Sequence, residues 1–552
     1  MAESTLTDEH EDRTPLEDQA STGGIAGAAM IIMLGNVLSR VLGMAREQLA
    51  AGLFGTGDRI AAFTVADNVH ALLFDLLISG MLQAALVPVL AQWTAPDAAT
   101  REELRRISGA LLTLAVIVVG TMVVIGVVFA PAVVEVMTAL GGGGGRGAET
   151  TTLTVTLVRM ILPAVFFLAI GVVLMGVLYA LGRVTAPALS VGVRNFALVA
   201  SIVLFAGLLG VKSMALGVVI GSVAIAAMQI PPLRRAGALP RPNLAFGHPG
   251  VRRVLKLYVP IFLGLLANTV AVVVDRNLAW GAERDALGAM RYATTLVQLV
   301  LGLVAAAISL AALPSLSRHF ATGDETAFQA TLGRALAMVT VLIVPAVFGL
   351  AAISRPAVDL LFRHGETGSE GAHLIVVALL GYLPGTLFAA YDQVLIFAFY
   401  ARQNTRTPVL VGLGAIAVYF AVALALVNSL GMLGLVLANS AQFVVHAVVM
   451  YWLARRSFGP AGGDDLRRVA IRCLGAGAGM SILCLGVWQA LAVALPDAGS
   501  TTGYLAREGI LVALPVAAGG VVYVGALHRW RLEEIAVLRR AILRKVAPRW
   551  AG

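Results

Sequence analysis

Long apolar stretches of this chain are interrupted by a small set of ionisable side chains. Arg40, Arg46 and Glu47 lie in NVLSRVLGMAREQLA, 36–50. Asp67 and Asp75 follow, then Arg159, Arg194, Asp275, Arg276, Arg291 and Asp392. A charge at the centre of a bilayer costs about 2.5–3.5 kcal/mol on insertion scales, so each must face a cavity or a partner. Arg40 and Glu47, seven residues apart, share a helical face, and Arg46 is turned about 120° from Arg40. Two roles are open to these residues. If Arg40, Arg46, Arg194, Arg276 and Arg291 converge, they line a cationic cavity for an anionic substrate. The guanidinium fork fits phosphate oxygens, and a low dielectric strengthens the contact. Glu47, Asp75 and Asp275 would then tune the arginines or take part in ion coupling. Alternatively, the charges are ion pairs between or within helices, with Asp275–Arg276 and Arg46–Glu47 the nearest pairs. Arg159 and Arg291, near span ends, could also snorkel to the interface.

The elements that hold these residues must be membrane spans. Of 552 residues, 59% are hydrophobic before the 59 glycines are counted, and 13% are charged. A soluble domain carries about 25% charged residues, and so few cannot cover its surface. An ordinary cytosolic enzyme, a nucleic-acid binder and a disordered chain are excluded. The net charge of +9 then belongs to loops facing anionic lipid head groups. Cys473 and Cys484 form neither a disulfide framework nor a zinc site and read as buried packing residues.

A crossing helix needs about 20 apolar residues. Such runs occur near 25–54, 60–92, 104–129, 151–182, 186–209, 213–233, 254–282, 286–313, 331–353, 371–400, 408–428, 432–454, 469–494 and 506–527, which predicts an all-α polytopic protein of about fourteen spans. With the N-terminus inside, the inner loops and C-terminal tail hold 26 Lys and Arg and the outer loops seven, so both termini are expected in the cytoplasm. Residues 1–23 carry seven acids against one arginine and no basic n-region, which reads as a disordered acidic cytoplasmic tail. Residues 529–552 are basic, and Ile535, Leu538, Ile542 and Val546 share a face, as expected of an interfacial helix on the inner leaflet.

The prolines mark an internal repeat. Pro88 and Pro314 each close a span, 226 residues apart; Pro131 and Pro356 match at 225, and Pro163 with Pro384 and Pro187 with Pro408 at 221. The Arg234–Arg235 and Arg455–Arg456 pairs also match at 221. The offset is six spans, so both copies have one orientation. Two six-helix lobes are expected, 24–236 and 251–456, enclosing a central cavity, with two further spans in 467–528 outside the repeat. This is transporter architecture, operating by rocking of the lobes. The glycine run 141–147 lacks the Lys-Ser/Thr ending of a phosphate loop, and the eight histidines show no ligand spacing. No catalytic constellation, metal site, cofactor site or ATPase motif emerges.

The segment SRVLGMAREQLAAGLFG, 39–55, resembles the first-helix signature of the MurJ (MviN) family of lipid II flippases, within the superfamily that also holds multidrug and polysaccharide exporters. Similar matches follow in SGMLQAALVPVLAQ (79–92), GRVTAPALSVGVRN (182–195), ALGVVIGSVAIAAMQIPPLRRAG (215–237), VVVDRNLAWG (272–281), LPSLSRHFATGD (313–324) and FYARQNTRTPV (399–409). Ser39, Gly43, Pro88, Pro314, Tyr400, Arg402 and Pro408 carry the matching motifs. The resemblance covers about 25–460. It implies fourteen helices, a V-shaped cavity and outward movement of the undecaprenyl-pyrophosphate-linked peptidoglycan precursor across a bacterial cytoplasmic membrane. The family's first-helix arginines fall on Arg40 and Arg46, and the acid after the second is Glu47 rather than the usual Asp. The chain also departs from the pattern. Ala61 replaces an Asp, and His70, Ala71, Phe74 and Asp75 replace a Pro-Asn and arginines. Thr294–Thr295 replaces an Asp-Arg pair. Residues 408–428 hold no carboxylate for a sodium site of the kind found in some relatives.

The expected activity is therefore a lipid II flippase without enzymatic chemistry, reset by membrane potential or by a Na+ or H+ gradient. The expected partners are the lipid-linked precursor and anionic lipids, with possible association with cell-wall synthesis proteins and no nucleic acid. A monomer suffices, because the cavity forms within one chain. Two other readings are an exporter of another lipid-linked glycan or a drug, and a degenerate paralogue serving as a cell-wall scaffold. Asp67, Asp75 and Asp392 would suit a cationic drug, and the departures above motivate the scaffold.

Overall fold

The computed structural model describes residues 38–75, 86–94, 97–139, 146–460, 463–495 and 501–532. The side chains of 88, 98, 260–268, 463–464 and 501–502 fall outside that description. Among the described residues every regular element is a helix. Helix α1 runs over 38–54. Then come α2 (Asp58–Phe74), α3 (Val87–Leu90), α4 (Ala98–Val128), α5 (Ala130–Thr138), α6 (Ala148–Ile161), α7 (Pro163–Ala180), α8 (Thr185–Leu209) and α9 (Lys212–Arg235). The remainder are α10 (Pro249–Gly281), α11 (Ala286–Ala321), α12 (Glu325–Ala352), α13 (Ser354–Phe362), α14 (Ser369–Ala401), α15 (Arg406–Leu430), α16 (Met432–Phe458), α17 (Gly463–Ala494) and α18 (Thr501–Arg529).

Eleven helical stretches in the described residues are long and apolar enough to cross a membrane. The other three expected spans, 25–54, 60–92 and 254–282, each include residues or side chains outside the description. The acidic segment 1–23, most of the glycine run 141–147 and all but the start of 529–552 lie outside it as well. Two elements were not expected, the nine-residue helices α5 and α13. Pro314 does not end its span: α11 continues to Ala321. One proline removes a single backbone hydrogen bond, and neighbouring helices in a bundle can compensate for it. Pro88 lies in α3, which ends at Leu90, and residues 76–85 before it fall outside the description.

The repeat is visible in the elements. Helices α8 and α15 each have 25 residues and end on Gly210 and Gly431, with φ/ψ of 55°/−138° and 54°/−128°. Only glycine enters that region without strain. Asp97 and Asp324 cap α4 and α12, each accepting a 2.8 Å bond from a backbone N–H three residues on. The same helix pairs pack in both copies: α8 on α9 and α7 on α9, then α15 on α16 and α14 on α16.

Contacts divide the chain into two compact units. One comprises Met1–Arg46, Asp67–Ala130 and Leu157–Thr269; the other comprises Glu47–Ala66, Pro131–Thr156 and Val270–Gly552. The second unit thus takes in two segments of the first repeat. In the first unit α4 lies on α7, where Gly126 leaves room for Leu162 and Gly120 for Phe166. In the second, α17 and α18 pack on α12. A Cβ on Gly477 would come 2.8 Å from Val344, and the Tyr523 hydroxyl donates to the Val341 carbonyl at 3.0 Å. Cys473 and Cys484 are buried, and the Cys484 thiol donates to the Pro515 carbonyl. In lipid, close packing and interhelical hydrogen bonds hold helices together.

Candidate functional site

Helix α1 carries Ser39, Gly43 and Arg46 at i, i+4 and i+7, along one face. Asn195 of α8, in the same unit, lies against that face. Its amide nitrogen donates to the Ser39 carbonyl at 2.9 Å and to the Ser39 hydroxyl at 3.1 Å. Its amide oxygen accepts from Arg46 Nη1 at 3.4 Å. Asn195 is buried, whereas Arg40, Arg46 and Arg194 are each half-buried. One asparagine therefore ties Arg46 of α1 to α8. Sequence reasoning missed Asn195, although it stands next to Arg194 in GRVTAPALSVGVRN. Gly221 of α9 lies against Arg194: a Cβ there would come 3.2 Å from the Arg194 backbone.

Helix α2 adds polar groups to the first unit. His70 is buried with Nδ1 3.9 Å from Asp67 Oδ1, and neither ring nitrogen has a hydrogen-bond partner among the described residues. The Asn68 amide nitrogen is in the same condition. Buried polar atoms of this kind are donors and acceptors open to a polar ligand. Asp75 is exposed at the end of this described stretch.

The second unit holds the other four expected site residues, in two pairs. Glu47 is buried and takes the fork of Arg291, with Nε–Oε2 at 2.9 Å and Nη2–Oε1 at 3.0 Å. The Arg291 guanidinium also lies 5.0 Å from the centre of the Phe63 ring. Arg291 therefore neutralises an acid here rather than standing free. Thr294 and Thr295 donate to the Arg291 carbonyl, so these replacements for the family's charged pair serve their own helix. Asp275 and Arg276 approach to 3.6 Å, and the Tyr419 hydroxyl donates to Asp275. Of the expected cations, then, Arg40, Arg46 and Arg194 belong to one unit, and Arg276 and Arg291 to the other.

A polar seam surrounds the turn between α1 and α2. Gly52, Ala51 and Gln48 offer their carbonyls to Glu366 N–H, the Thr367 hydroxyl and His364 Nε2–H, at 2.8, 2.7 and 3.1 Å. The Gly55 carbonyl accepts from the Tyr292 hydroxyl at 3.0 Å. Asp58 accepts from Arg146 at 3.1 Å and from Arg284 at 2.9 Å, and Thr56 donates to Asp285 at 2.5 Å. Arg146 is also stacked on Trp280 at 4.6 Å.

At the other end of α14, Arg402 donates to the Ser457 carbonyl at 3.0 Å and pairs with Glu325. Its guanidinium stacks over Phe320, Phe328 and Phe458. Tyr400 is exposed nearby, and Pro408 lies in the first turn of α15. These motif residues shape the junction of α14 and α15. Among the described residues no three His, Cys, Asp or Glu side chains are grouped to hold a metal.

With eleven crossing stretches among the described residues, all of whose regular elements are helices, the chain is an integral membrane protein. The model of the family described as "Lipid II flippase MurJ" matches residues 50–501, and the chain belongs to that family. A lipid II flippase MurJ of Burkholderia cenocepacia is 27% identical over 421 residues, 75% of this chain and 81% of that protein. The fold is also that of a lipid II flippase MurJ solved in an inward closed conformation. That match has a TM-score of 0.72 and 19% identity, covering 90% of this chain and 99% of the other. An inward-facing multidrug resistance transporter of the MATE family shares the fold at a TM-score of 0.65 and 15% identity, over 78% of this chain and 96% of that one.

Proposed function

We propose that this protein is a flippase for lipid II, moving the undecaprenyl-pyrophosphate-linked disaccharide-pentapeptide from the inner to the outer leaflet of a bacterial cytoplasmic membrane for peptidoglycan synthesis. Membership of the flippase family over 50–501 carries this reading. The site chemistry supports it. The Arg46 guanidinium, bonded to Asn195, suits one charge of a pyrophosphate, and Arg40 and Arg194 belong to the same unit. The unpartnered nitrogens of Asn68 and His70 suit the polar sugar-peptide head. Arg276 shares its charge with Asp275, and Arg291 with Glu47; these two act on the substrate only if their carboxylates let go.

The work is that of a secondary-type transporter acting as a monomer. The lobes 24–236 and 251–456 rock about each other, and both termini lie in the cytoplasm, where the excess of Lys and Arg meets anionic lipid. On that orientation the seam around the α1–α2 turn lies on the outer side. Opening it requires breaking the Asp58 ion pairs, and release of the cargo follows. The reading is tested in a bacterium whose own lipid II flippase can be shut off. Expression of this chain should restore lipid II to the outer leaflet and sustain growth. Correct insertion without restoration would overturn the cargo assignment.

A further inference from the structure

Asp392 of α14 and His446 of α16 lie in the second repeat, 5% and 8% exposed. Nδ1 of His446 is 2.6 Å from Asp392 Oδ1, and Nε2 is 3.4 Å from the Pro408 carbonyl of α15. A carbonyl only accepts, so a hydrogen bond to it needs the hydrogen on Nε2. A second proton lies between Nδ1 and Oδ1. Whether it sits on the ring or on the carboxyl, it belongs to the pair, and the pair is neutral. Loss of that proton leaves one uncompensated negative charge among three helices.

No other charged side chain faces the pair among the described residues. Neither α11 nor α12, α13 or α15 presents a charge that acts on Asp392 or His446; each is the other's charged partner. The neighbouring Tyr391 turns its hydroxyl to Thr340 of α12 at 2.9 Å. Gly412 of α15 lies across from the ring, where a Cβ would come 3.6 Å from Nε2.

The first repeat shows what the fold itself needs at this place. At the 221-residue offset, Asp392 corresponds to Gly171, His446 to Ile225 and Pro408 to Pro187. Gly171 and Ile225 also meet: a Cβ on Gly171 would come 3.1 Å from Ile225 Cγ2. The same helix pair, α7 with α9, therefore packs there without an ionisable side chain at either position. A buried ion pair is commonly matched or bettered in stability by apolar groups, and ionisable groups inside a membrane are costly. Packing alone does not account for Asp392 and His446.

We propose that the Asp392–His446 pair is a proton-exchange site through which the transporter takes up H+ from one compartment and releases it to the other. This rests on the transport reading above. The pair binds one proton and becomes neutral while closed among α14, α15 and α16. It gives that proton up when rearrangement of these helices admits water, which stabilises the remaining carboxylate. Net movement is one H+ per cycle, with no other reactant.

The full-length protein reconstituted in liposomes tests this. Lipid II flipping is measured with and without an imposed pH gradient, for wild type, Asp392→Asn and the double variant Asp392→Gly/His446→Ile, which copies the first repeat. One pH unit changes proton occupancy by up to about tenfold, and wild-type flipping should respond to the gradient by as much. Both variants should keep their rate without a gradient and lose the response. Equal responses in wild type and variants, or wild-type flipping that ignores the gradient, would overturn the proposal. Infrared titration of the purified protein gives a second readout: a carboxyl band that changes with pH and is missing in Asp392→Asn. If wild type flips no lipid II, the transport reading fails, and this titration decides proton binding by itself. Absence of the band in wild type would then overturn the site.

Discussion

Glu47 and Arg291 are 244 residues apart in the chain and share two parallel hydrogen bonds, at 2.9 and 3.0 Å. The carboxylate is 1% exposed and the guanidinium 12%. Removing one member of such a pair leaves an uncompensated buried charge and costs about 3–5 kcal/mol, while replacing both by apolar groups is often close to neutral. Glu47→Ala should therefore lower the midpoint of thermal unfolding in detergent sharply, and Glu47→Leu/Arg291→Met should recover most of the loss. Equal losses in the single and double variants would contradict a pair whose energy is mutual.

Asn195 orients Arg46 through its amide oxygen and anchors itself on Ser39 through its nitrogen. A hydrogen bond contributes about 1 kcal/mol net. Asn195→Ala should weaken lipid II binding roughly five- to tenfold while the protein still inserts. Asn195→Asp should tie the Arg46 charge to a carboxylate and weaken binding further. Unchanged affinity in both variants would remove Arg46 from the binding surface.

Asp58 holds both Arg146 and Arg284 at the seam beside the α1–α2 turn. Ala286, at the start of α11, is fully buried in this state. A cysteine introduced at Ala286 should react slowly with a membrane-impermeant maleimide. Adding Asp58→Ala should speed labelling roughly tenfold, since bonds between charged groups contribute about 1.5–3 kcal/mol when buried and less at an exposed partner such as Arg284. Identical labelling rates would show that Asp58 does not hold the seam.

Asp97 caps α4, and the Thr100 N–H bonded to its carboxylate holds the carboxyl below the usual carboxylate range. A group depressed in the folded state contributes stability above its unfolded pKa and loses it as pH falls through the folded one. The first-turn amides of α4 should therefore be protected from hydrogen exchange at neutral pH and should lose part of that protection in acid beyond the intrinsic change in rate. Asp97→Ala should show the weaker protection at both pH values. A variant matching wild type at neutral pH would contradict the cap.

The spans were legible because each needs about twenty apolar residues, a signal that survives without neighbours. The run expected at 408–428 is α15, Arg406–Leu430. Its ends extend because helices continue past the hydrocarbon edge. Helices α5 and α13 are not legible: nine residues give too little periodicity, although their prolines, Pro131 and Pro356, are repeat markers. At the site, the arginines are legible by residue type and the Asp275–Arg276 pair by adjacency, but the partners of Arg46 and Arg291 are not. Nothing in local sequence ties Glu47 to Arg291, or His446 to Asp392, because both pairs depend on helix packing across long separations. In the sequence His446 is one of eight scattered histidines. Only the 221-residue offset, combined with the contact between Gly171 and Ile225, makes its position distinctive.

If Arg46 holds the pyrophosphate while the lipid-linked precursor crosses the bilayer, its loss must slow flipping. The most direct measurement is the rate at which lipid II, placed in the inner leaflet of liposomes holding the purified protein, becomes accessible to an enzyme outside. Wild type should flip lipid II, and Arg46→Ala should flip it at least about tenfold more slowly, the loss of one charge-assisted contact, at equal reconstitution. No flipping by correctly inserted wild type, or equal rates for both proteins, would contradict the account.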